Sequence, residues 1–416
     1  MTSIIIVQGA QWGSEAKGMV AAELCKRRNV QFAVRTGAVN AGHTVYKDGK
    51  KFVMQQLPTG WVAGDQCNMV IGPGAYINPE IFLREIAMVR ESRYQGEIYV
   101  DYRAGLHLPE HQEESRRSSR HYLIGATGKG CAEALIDKIK NRNSGAKLFK
   151  DWFNAMGNPT HFAQDFHWDD TSLLLNEAYD QGHQILLEGT QGTWLDFNLG
   201  PYPYVTNKPC TPGQWITESG LSPALEYEVV LVARTYPIRV AGNSGPMPGE
   251  ISWPELAEMI NRKLDVVGKD LLVSPWAIEK FKAVRRDVAE RTNYIDDNER
   301  KSELDADTFR ELSDDCKKEL GKLFEFTTVT HKLRRVAKLD LEMLRRSVQL
   351  CRPKYVVMTF INYEFPDLWG STATEDHGLY LYLKKVEREI GTPIGAFTTS
   401  PEGQHYLERP WAHEPQ

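Results

Sequence analysis

Short apolar segments recur along the whole chain, and helical patterns lie between them. Each segment is a continuous apolar run rather than an alternation of apolar and polar residues, which is typical of strands covered on both faces. Strands that alternate with helices indicate an α/β fold with a mostly parallel central sheet flanked by helices. The predicted strands occupy residues 3–8, 31–35, 69–72, 97–101, 184–188, 228–234, 354–360 and 393–398.

Local signals between these strands are specific in three places. Residues 78–89 begin with Asn78 as an N-cap and Pro79 at the first helical position, which predicts a helix start. Residues 339–350 repeat apolar positions at helical spacing, with Leu341, Leu344 and Val348 on one face. The dipeptide Asp48-Gly49, between two short β-type segments, predicts a hairpin turn. Residues 251–325 are charged and rich in helical patterns, and they read as a helical subdomain with an exposed loop or, alternatively, a disordered insertion.

Composition excludes several functional classes. The chain has 416 residues and a formal net charge of -5, so no overall positive field attracts nucleic acids or acidic membranes. The six cysteines are scattered and form no CxxC pair, which argues against a disulfide framework and a zinc site. No apolar segment approaches transmembrane length, and the first residues do not resemble a signal peptide. We therefore expect a cytoplasmic protein with neither a nucleic-acid nor a membrane partner.

The segment "GAQWGSEAKGM" at residues 9–19 follows the first predicted strand and precedes a helical pattern. A glycine-rich loop between a strand and a helix is typical of phosphate binding, which predicts a P-loop-like nucleotide site. The loop departs from the Walker pattern, because Lys17 is followed by Gly18 rather than by serine or threonine. Its hydroxyl belongs to Ser14, three residues before the lysine.

Polar or glycine-rich segments also follow other predicted strands. They are "GAVNAGHT" near residues 37–44, "GTQGTWLDFN" after residue 188, "INYEFP" after residue 360 and "TSPEG" after residue 398. In open α/β sheets, ligands bind beyond the carboxyl ends of the strands, so these segments are expected to converge on one site. Each segment taken alone is equally compatible with an ordinary turn.

The combination of "GAQWGSEAKG" with "NAGHT" at residues 40–44 resembles the adenylosuccinate synthetase family, whose pattern is close to GxQWGDExKG followed by NAGHT. Three further segments match the family in order. They are "GATGKG" at 125–130, "EGTQGTWLDFNLGPYPYVT" at 188–206 and "TTVTHKLRRV" at 327–336. The resemblance spans nearly the whole chain and implies one catalytic domain over 1–416, with the helix-rich subdomain at about 251–325.

The resemblance implies a two-step reaction. A nucleoside triphosphate phosphorylates the oxygen on carbon 6 of a purine monophosphate, and L-aspartate then attacks that carbon and displaces phosphate. Such an enzyme must align two phosphorylated ligands with aspartate and stabilise charge on the transferring group. The resemblance also implies Mg²⁺, which would be bound by the side chain at residue 14 and the carbonyl of Gly42.

The family's functional positions fall on four sets of residues in this sequence. The catalytic set is Ser14, Lys17, His43 and Gln191, with His43 donating to the transferring phosphoryl group. The triphosphate set is Gly13, Ser14, Glu15, Ala16, Lys17, Gly18, Met19, Gly42, His43, Thr44, Arg334, Asn362, Ser400, Pro401 and Gly403. The purine monophosphate set is Ser14, Asn40, Thr127, Arg142, Gln191, Thr206 and Val240. The aspartate set is Thr328, Val329, Thr330, Lys332 and Arg334, which offers the cations and hydroxyls that a small dianion needs.

An arginine of the family reaches the monophosphate in the neighbouring subunit's site. A gapless comparison places Asn141 at that position, with Arg142 next to it. We assign the role to Arg142, and the resemblance then implies a homodimer with shared sites.

Ser14 is the first departure from the family, which has an aspartate at this position. In the family the aspartate is the general base at purine nitrogen 1 and a ligand of Mg²⁺. A serine hydroxyl is too weak a base to replace it near neutral pH. It is also shorter and uncharged, so it leaves room for an amino group on carbon 2 of the purine.

Two further departures affect nucleotide choice. Asn362 replaces an aspartate that reads guanine in the family, and an amide suits adenine as well because it both donates and accepts. ATP is therefore the expected phosphate donor. Lys332 replaces an arginine that contacts the ribose, and lysine cannot make the same forked contact.

Together these departures resemble the phage-type branch of the family, the 2-amino-2'-deoxyadenylo-succinate synthases of diaminopurine biosynthesis. The resemblance implies ATP- or dATP-dependent ligation of L-aspartate to dGMP, giving 2-amino-2'-deoxyadenylo-succinate, ADP and phosphate, in the host cytoplasm if a phage encodes the chain. One alternative is an ordinary adenylosuccinate synthetase that uses IMP and GTP. Another is an inactive nucleotide-binding homologue, although the retention of Lys17, His43 and Gln191 argues against it.

Overall fold

The computed structural model describes residues 3–118, 123–143, 147–156, 165–240, 242–292, 301–327, 332–372 and 376–409, with the backbone alone at 301–303 and 404. Its strands are β1 Ile4–Gly9, β2 Phe32–Arg35, β3 His43–Lys47, β4 Lys50–Met54, β5 Asn68–Ile71, β6 Tyr76–Ile77, β7 Ile98–Asp101, β8 Gly105–Leu106, β9 His167–Asp169, β10 Ile185–Glu188, β11 Tyr227–Arg234, β12 Ile238–Arg239, β13 Glu250–Ile251, β14 Arg335–Ala337, β15 Tyr355–Thr359, β16 Ile394–Thr398 and β17 Tyr406–Glu408.

The α-helices are α1 Lys17–Arg27, α2 Pro79–Glu91, α3 Pro109–Arg117, α4 Cys131–Lys140, α5 Phe149–Ala155, α6 Thr171–Asp180, α7 Pro212–Ser219, α8 Trp253–Val266, α9 Pro275–Arg291, α10 Lys301–Glu311, α11 Asp314–Leu320, α12 Leu341–Cys351, α13 Ile361–Glu364 and α14 His377–Ile390. Short 3₁₀ segments occupy Thr59–Ala63, Thr193–Leu195, Pro366–Leu368 and Gly403–His405. Among the described residues, no helix is long and apolar enough to cross a lipid bilayer.

The central sheet has ten strands in the described part of the chain, in the order β17-β16-β15-β11-β1-β10-β2-β5-β7-β9. All neighbours pair in parallel except β17, which runs antiparallel to β16 at one edge. Each predicted strand corresponds to a strand of this sheet, so the predicted fold class is confirmed. Apolar clusters cover both faces, one including Ile4 and Ile6 and the other including Ile5 and Val7. This two-sided burial explains why the strands are continuous apolar runs.

Four parallel neighbours in the middle of the sheet position the site. β15, β11, β1 and β10 lie side by side, so their carboxyl ends meet at the same edge. The segments that leave this edge are the glycine loop after β1, the "GTQG" segment after β10 and the "FIN" segment after β15. This arrangement brings together segments that lie more than 300 positions apart in the sequence, as the rule for open α/β sheets predicts.

The local signals are also confirmed. The Asn78 side chain accepts a hydrogen bond from the Ile81 amide at 3.0 Å and caps α2, with Pro79 at the first helical position. Asp340 caps α12 in the same way, at 3.0 Å from the Met343 amide. Asp48 and Gly49 have φ angles of 50° and 72°, as expected for a tight hairpin turn between β3 and β4. Because β3 begins at His43, this hairpin fixes the backbone of the predicted catalytic histidine.

The helices α8 to α11 pack around an apolar cluster that contains Trp253, Phe281 and Phe324. They occupy most of the segment predicted as a helix-rich subdomain. Much of the predicted exposed loop, at 293–300, lies outside the described residues. The same cluster includes Leu333 and Tyr363, so it borders the hairpin of the aspartate segment and the "FIN" segment. The boundaries of a separate subdomain stay a prediction.

Candidate active site

A cavity of about 540 Å³ opens at the carboxyl ends of the central strands. Most of the residues predicted from the sequence line it. They are Gly13, Ser14, Ala16, Lys17, Gly18, Met19, Asn40, Gly42, His43, Thr44, Thr127, Gln191, Val240, Arg334, Asn362 and Pro401. The structure therefore brings together members of the triphosphate, purine monophosphate, catalytic and aspartate sets, while their individual roles stay predictions.

The charge of the lining is strongly asymmetric. Among the described lining residues, the carboxylate is that of Glu325, and both of its oxygens bind Arg234. The cations are Lys17, Lys51, Lys129, Arg234, Arg239, Lys322 and Arg334. A concave site with this excess of positive charge favours polyanionic ligands such as nucleotides and dicarboxylates.

The glycine loop has an unusual backbone. Gly13, Ser14 and Ala16 have φ angles of 83°, 63° and 66°, all in the left-handed region. This region is unfavourable for serine and alanine, and such conformations cost roughly 1–3 kcal/mol each and cluster at functional sites. Lys17, Gly18 and Met19, the first residues of α1, line the cavity, so the N-terminal end of this helix borders it. A glycine loop followed by a helix N-terminus is the arrangement typical of phosphate binding.

Glu15 stabilises this loop from beneath. Its carboxylate accepts hydrogen bonds from the amides of Gln11 and Gly13 at 3.0 and 2.8 Å, and it pairs with Lys17 at 2.6 Å. Glu15 is fully buried and is not part of the cavity lining. Its side chain therefore organises the loop, and the predicted contact of Glu15 with the triphosphate stays a prediction.

Ser14 lies at the cavity surface, and its hydroxyl accepts a hydrogen bond from Arg334 Nη1 at 2.8 Å. The guanidinium of Arg334 also donates through Nε to the Phe326 carbonyl at 3.1 Å. Burial lowers the pKa of Arg334 to about 10, so the group is still charged at neutral pH. The contact joins the glycine loop to the predicted aspartate segment.

That aspartate segment is only partly described. Thr328, Val329 and Thr330 lie outside the described residues. At its two ends, the amide of Thr327 donates to the Lys332 carbonyl at 2.8 Å, and the Lys332 amide donates to the Thr327 hydroxyl at 2.9 Å. Lys332 itself is exposed and is not part of the cavity lining.

His43 is buried at the cavity wall and bound from behind by Glu188. Its Nδ1 lies 2.5 Å from Glu188 Oε1. Burial, and then the charge of Arg35, lower the pKa of His43 to about 4. Burial alone would raise the pKa of Glu188, but the hydrogen bond from His43 and the charge of Arg35 lower it overall. At neutral pH the pair is therefore a carboxylate and a neutral ring with its hydrogen on Nδ1.

Asn362 is fully buried at the cavity wall, on the short helix α13. Neither its Oδ1 nor its Nδ2 has a hydrogen-bond partner in the described structure. A buried amide without partners is costly, so a ligand that pairs with these two atoms would remove that cost. Phe360, two residues before Asn362, has a φ angle of 57°. The guanidinium carbon of Arg234 lies 3.6 Å from the centre of the Phe360 ring.

Besides Glu15 and Lys332, four other described residues that were predicted for the site do not line the cavity. The Ser400 hydroxyl lies 2.5 Å from His405 Nδ1, and Gly403 packs against Glu23. The Thr206 amide donates to the Leu195 carbonyl at 2.8 Å. Arg142 is exposed beyond the end of α4. Its neighbour Asn141, just after the end of α4, donates to Asp137 of that helix at 2.6 Å.

Several lining residues were missed by the sequence analysis. Lys129 could have been found, because it belongs to the matched "GATGKG" segment. Trp12 and Glu188 also lie in matched segments, although Glu188 acts behind the lining. Arg234 and Arg239 are the last residues of β11 and β12, and the sequence around them gives no sign of a function.

The lining offers Mg²⁺ few ligands. The Ser14 hydroxyl and the Gly42 carbonyl are neutral oxygens, and the carboxylates of Glu15 and Glu325 are already bound to cations. Within the described ranges, no group of three or more His, Cys, Asp or Glu side chains could hold a metal ion. Mg²⁺ usually keeps several waters and binds through substrate phosphates. These residues fit an ion that arrives with the nucleoside triphosphate as part of the substrate.

Comparisons with known proteins agree with this architecture. The sequence profile of the adenylosuccinate synthetase family matches residues 6–165 and 153–363. An adenylosuccinate synthetase of a Pyrococcus species is 28% identical over 413 residues, which cover 98% of this chain and 99% of the relative. The enzyme of the same name from Thermococcus onnurineus is 29% identical with the same coverage.

Solved structures show the same fold. The succinoaminodeoxyadenylate synthetase of cyanophage S-2L, bound to dGMP and dATP, matches with a TM-score of 0.72 at 22% identity, covering 100% of this chain and 97% of that one. The fully ligated adenylosuccinate synthetase of Plasmodium falciparum matches with a TM-score of 0.67 at 18% identity, covering 98% and 100%. Together with the sequence profile, these findings show that the chain belongs to the adenylosuccinate synthetase family and is a carbon–nitrogen ligase of purine metabolism.

Proposed function

We propose that the protein joins L-aspartate to carbon 6 of dGMP at the expense of ATP or dATP. The product is 2-amino-2'-deoxyadenylo-succinate, released with phosphate and with ADP from ATP or dADP from dATP, for the synthesis of diaminopurine DNA. The observation that carries the proposal is the side chain of residue 14. A serine hydroxyl lies at the cavity surface where the family has a carboxylate, and it is bound to Arg334.

The replacement favours a 2-aminopurine over hypoxanthine. Hypoxanthine bears only hydrogen at carbon 2, so a carboxylate next to nitrogen 1 meets no obstacle there. Guanine adds an amino group at carbon 2, which needs both space and a hydrogen-bond acceptor. The Ser14 hydroxyl still has acceptor capacity beside its bond from Arg334, since a hydroxyl oxygen has two lone pairs.

The two steps can be assigned to named groups. The carbon 6 oxygen attacks the γ-phosphorus, the bond to the departing ADP breaks, and the proton of nitrogen 1 passes to solvent water, because Ser14 is too weak a base to take it. His43, Lys17 and the amides that begin α1 line the cavity where charge develops on the transferring group. The aspartate amine then attacks carbon 6, and phosphate leaves. Arg334 and the 328–330 segment bind the carboxylates of aspartate in this proposal.

Asn362 supports adenine as the base of the phosphate donor. Its free Oδ1 can accept from the amino group of adenine, and its free Nδ2 can donate to a ring nitrogen. A carboxylate at this position would instead favour guanine, which presents two donors side by side. The cyanophage S-2L synthetase was solved with dATP bound as an energy donor, which is consistent with adenine recognition in this fold.

Replacing Asn362 with aspartate should shift the preference from ATP toward GTP. A charge-assisted hydrogen bond is worth about 1.5–3 kcal/mol, so we expect the ratio of kcat/KM values for ATP and GTP to fall about tenfold or more. Asn154→Asp, which adds the same charge at an exposed position, is the matched control and should leave the ratio unchanged. Equal use of ATP and GTP by the unmodified protein would show that residue 362 does not read the base.

The proposal also includes a homodimer with shared sites. Arg142 is exposed on the surface of one subunit, beyond α4, and does not line that subunit's own cavity. Its position is compatible with a contact to the monophosphate in the partner's site. In this arrangement each site would be complete only in the dimer.

The second candidate is an ordinary adenylosuccinate synthetase that acts on IMP, since the curated relatives with 28–29% identity carry that name. An activity panel separates the two. It crosses IMP, GMP and dGMP with ATP, dATP and GTP, with aspartate and Mg²⁺ present, and detects the succinylated product by mass. The proposal predicts the highest kcat/KM with dGMP and an adenine nucleotide, whereas the second candidate predicts IMP. An absence of product in every combination would favour the inactive homologue.

A further inference from the structure

Glu188 is a wholly buried carboxylate at the end of β10, next to the cavity but behind its wall. Its Oε1 binds His43 Nδ1 at 2.5 Å and lies 3.4 Å from Arg35 Nη1. Its Oε2 accepts from the amide and the hydroxyl of Thr59, both at 2.7 Å. Each of these partners approaches from a different element, so the carboxylate is fixed in position.

We infer that Glu188 is a positioning residue that holds the His43 ring with Nδ1–H bound and Nε2 turned toward the cavity. The inference rests on the proposed function only in that His43 acts on the transferring phosphoryl group. An imidazole has two distinct nitrogens, and the partner of one decides which atom the other presents to a substrate. Without the carboxylate, the ring could rotate or exchange the hydrogen between its nitrogens.

The carboxylate of Glu188 also connects His43 to the end of the glycine loop, through Thr59. The Thr59 hydroxyl lies 2.8 Å from the Gly18 carbonyl as well as next to Glu188. A side chain at Gly18 would have its Cβ only 2.5 Å from the Cβ of His43, so the loop and the histidine pack directly against each other. Glu188 therefore sets the ring relative to the loop that is proposed to wrap the triphosphate.

A second buried carboxylate provides a matched comparison. Glu85 is 2% exposed and accepts hydrogen bonds from the amides of Gln55, Gln56 and Leu57 at 2.6, 3.0 and 2.9 Å. It contacts backbone amides and is not part of the cavity lining. Both carboxylates carry the cost of burying a charge, but only Glu188 binds a side chain that lines the cavity.

The test compares Glu188→Gln with Glu85→Gln. An amide keeps the size of the side chain but presents a donor to neighbours that are themselves donors. We expect Glu188→Gln to lower kcat about 10- to 100-fold while the KM values for the triphosphate and aspartate change less than about twofold. Glu85→Gln should reduce thermal stability and leave kcat unchanged. The assay uses whichever of dGMP and IMP the unmodified protein converts, so the inference does not depend on the choice of purine.

A second measurement needs no substrate. Nitrogen-15 NMR of histidine-labelled protein reports which ring nitrogen carries hydrogen, and the His43 signals are identified by their loss in His43→Asn. We expect the Nδ1–H tautomer at neutral pH in the unmodified protein and a mixture in Glu188→Gln. The inference is overturned if the unmodified protein shows the Nε2–H tautomer, or if the two glutamine variants lose kcat equally. If Glu188→Gln does not fold, the tautomer in the unmodified protein decides.

Discussion

Ser14→Asp should reverse the purine preference of the protein. We expect kcat/KM for dGMP to fall and that for IMP to rise, because a carboxylate at residue 14 fills the space that the 2-amino group of guanine needs. Overfilling a packed site costs about 1–3 kcal/mol, so the ratio of the two values should change about 10- to 100-fold. The new carboxylate would lie against the 2-amino side of guanine and within reach of Arg334, which now binds the serine at 2.8 Å. Kinetics with both nucleotides in both proteins give the ratio.

The backbone should tolerate this change. Residue 14 has a φ angle of 63°, and aspartate adopts the left-handed region more readily than most residues. Ser14→Ala is the control, since it keeps the space and removes only the hydroxyl. It should retain the preference for dGMP and lose about 0.5–1.5 kcal/mol of binding, the usual worth of one neutral hydrogen bond. An unchanged dGMP/IMP ratio in Ser14→Asp would show that residue 14 does not determine purine specificity.

His43→Asn should lower kcat by about two to three orders of magnitude, the usual cost of removing one electrostatic donor from a transition state. The expected loss arises because the ring lies where the γ-phosphoryl group is proposed to transfer. In the ligand-free protein the pKa of His43 is about 4, so the neutral ring offers only a lone pair at Nε2. The charges of a bound triphosphate favour the protonated ring, which then donates from Nε2 while Nδ1–H remains on Glu188.

Steady-state kinetics with each substrate varied in turn test this role. His167→Asn is the matched control, because His167 is exposed and pairs with Glu97 at the far edge of the sheet. It should leave kcat unchanged. If His43→Asn instead raises KM and keeps its turnover, His43 binds substrate without stabilising the transfer.

Strands that are buried on both faces could be predicted from the sequence, whereas exposed edge strands could not. Buried parallel strands are continuous apolar runs, so the eight central ones could be found from the sequence, as could the capped helix α2 and the Asp48-Gly49 hairpin. The edge strands β9 and β17 were missed. β9 is the exposed tripeptide His167–Asp169, and β17 spans three residues with one of them buried, so neither has an apolar run.

Site residues could be predicted where a matched sequence segment contains them, but not where their role depends on contacts with distant residues. Matched segments predicted most of the lining, because the carboxyl ends of parallel strands converge at one edge. The pairing of His43 with Glu188 joins residues 145 positions apart, and no spacing rule connects them. The inward orientation of Glu15 and the unpaired amide of Asn362 also became visible only in three dimensions, since each depends on which neighbours surround the side chain.

A competition experiment tests the central claim most directly. Equimolar dGMP and IMP are incubated with the unmodified protein, ATP, L-aspartate and Mg²⁺, and the two succinylated products are separated by mass at low conversion. Their ratio equals the ratio of the two kcat/KM values, without separate estimates of either constant. The proposal predicts that the product of dGMP predominates, and that it remains dominant when dATP replaces ATP. Predominance of the IMP product would contradict it and identify the protein as an ordinary adenylosuccinate synthetase.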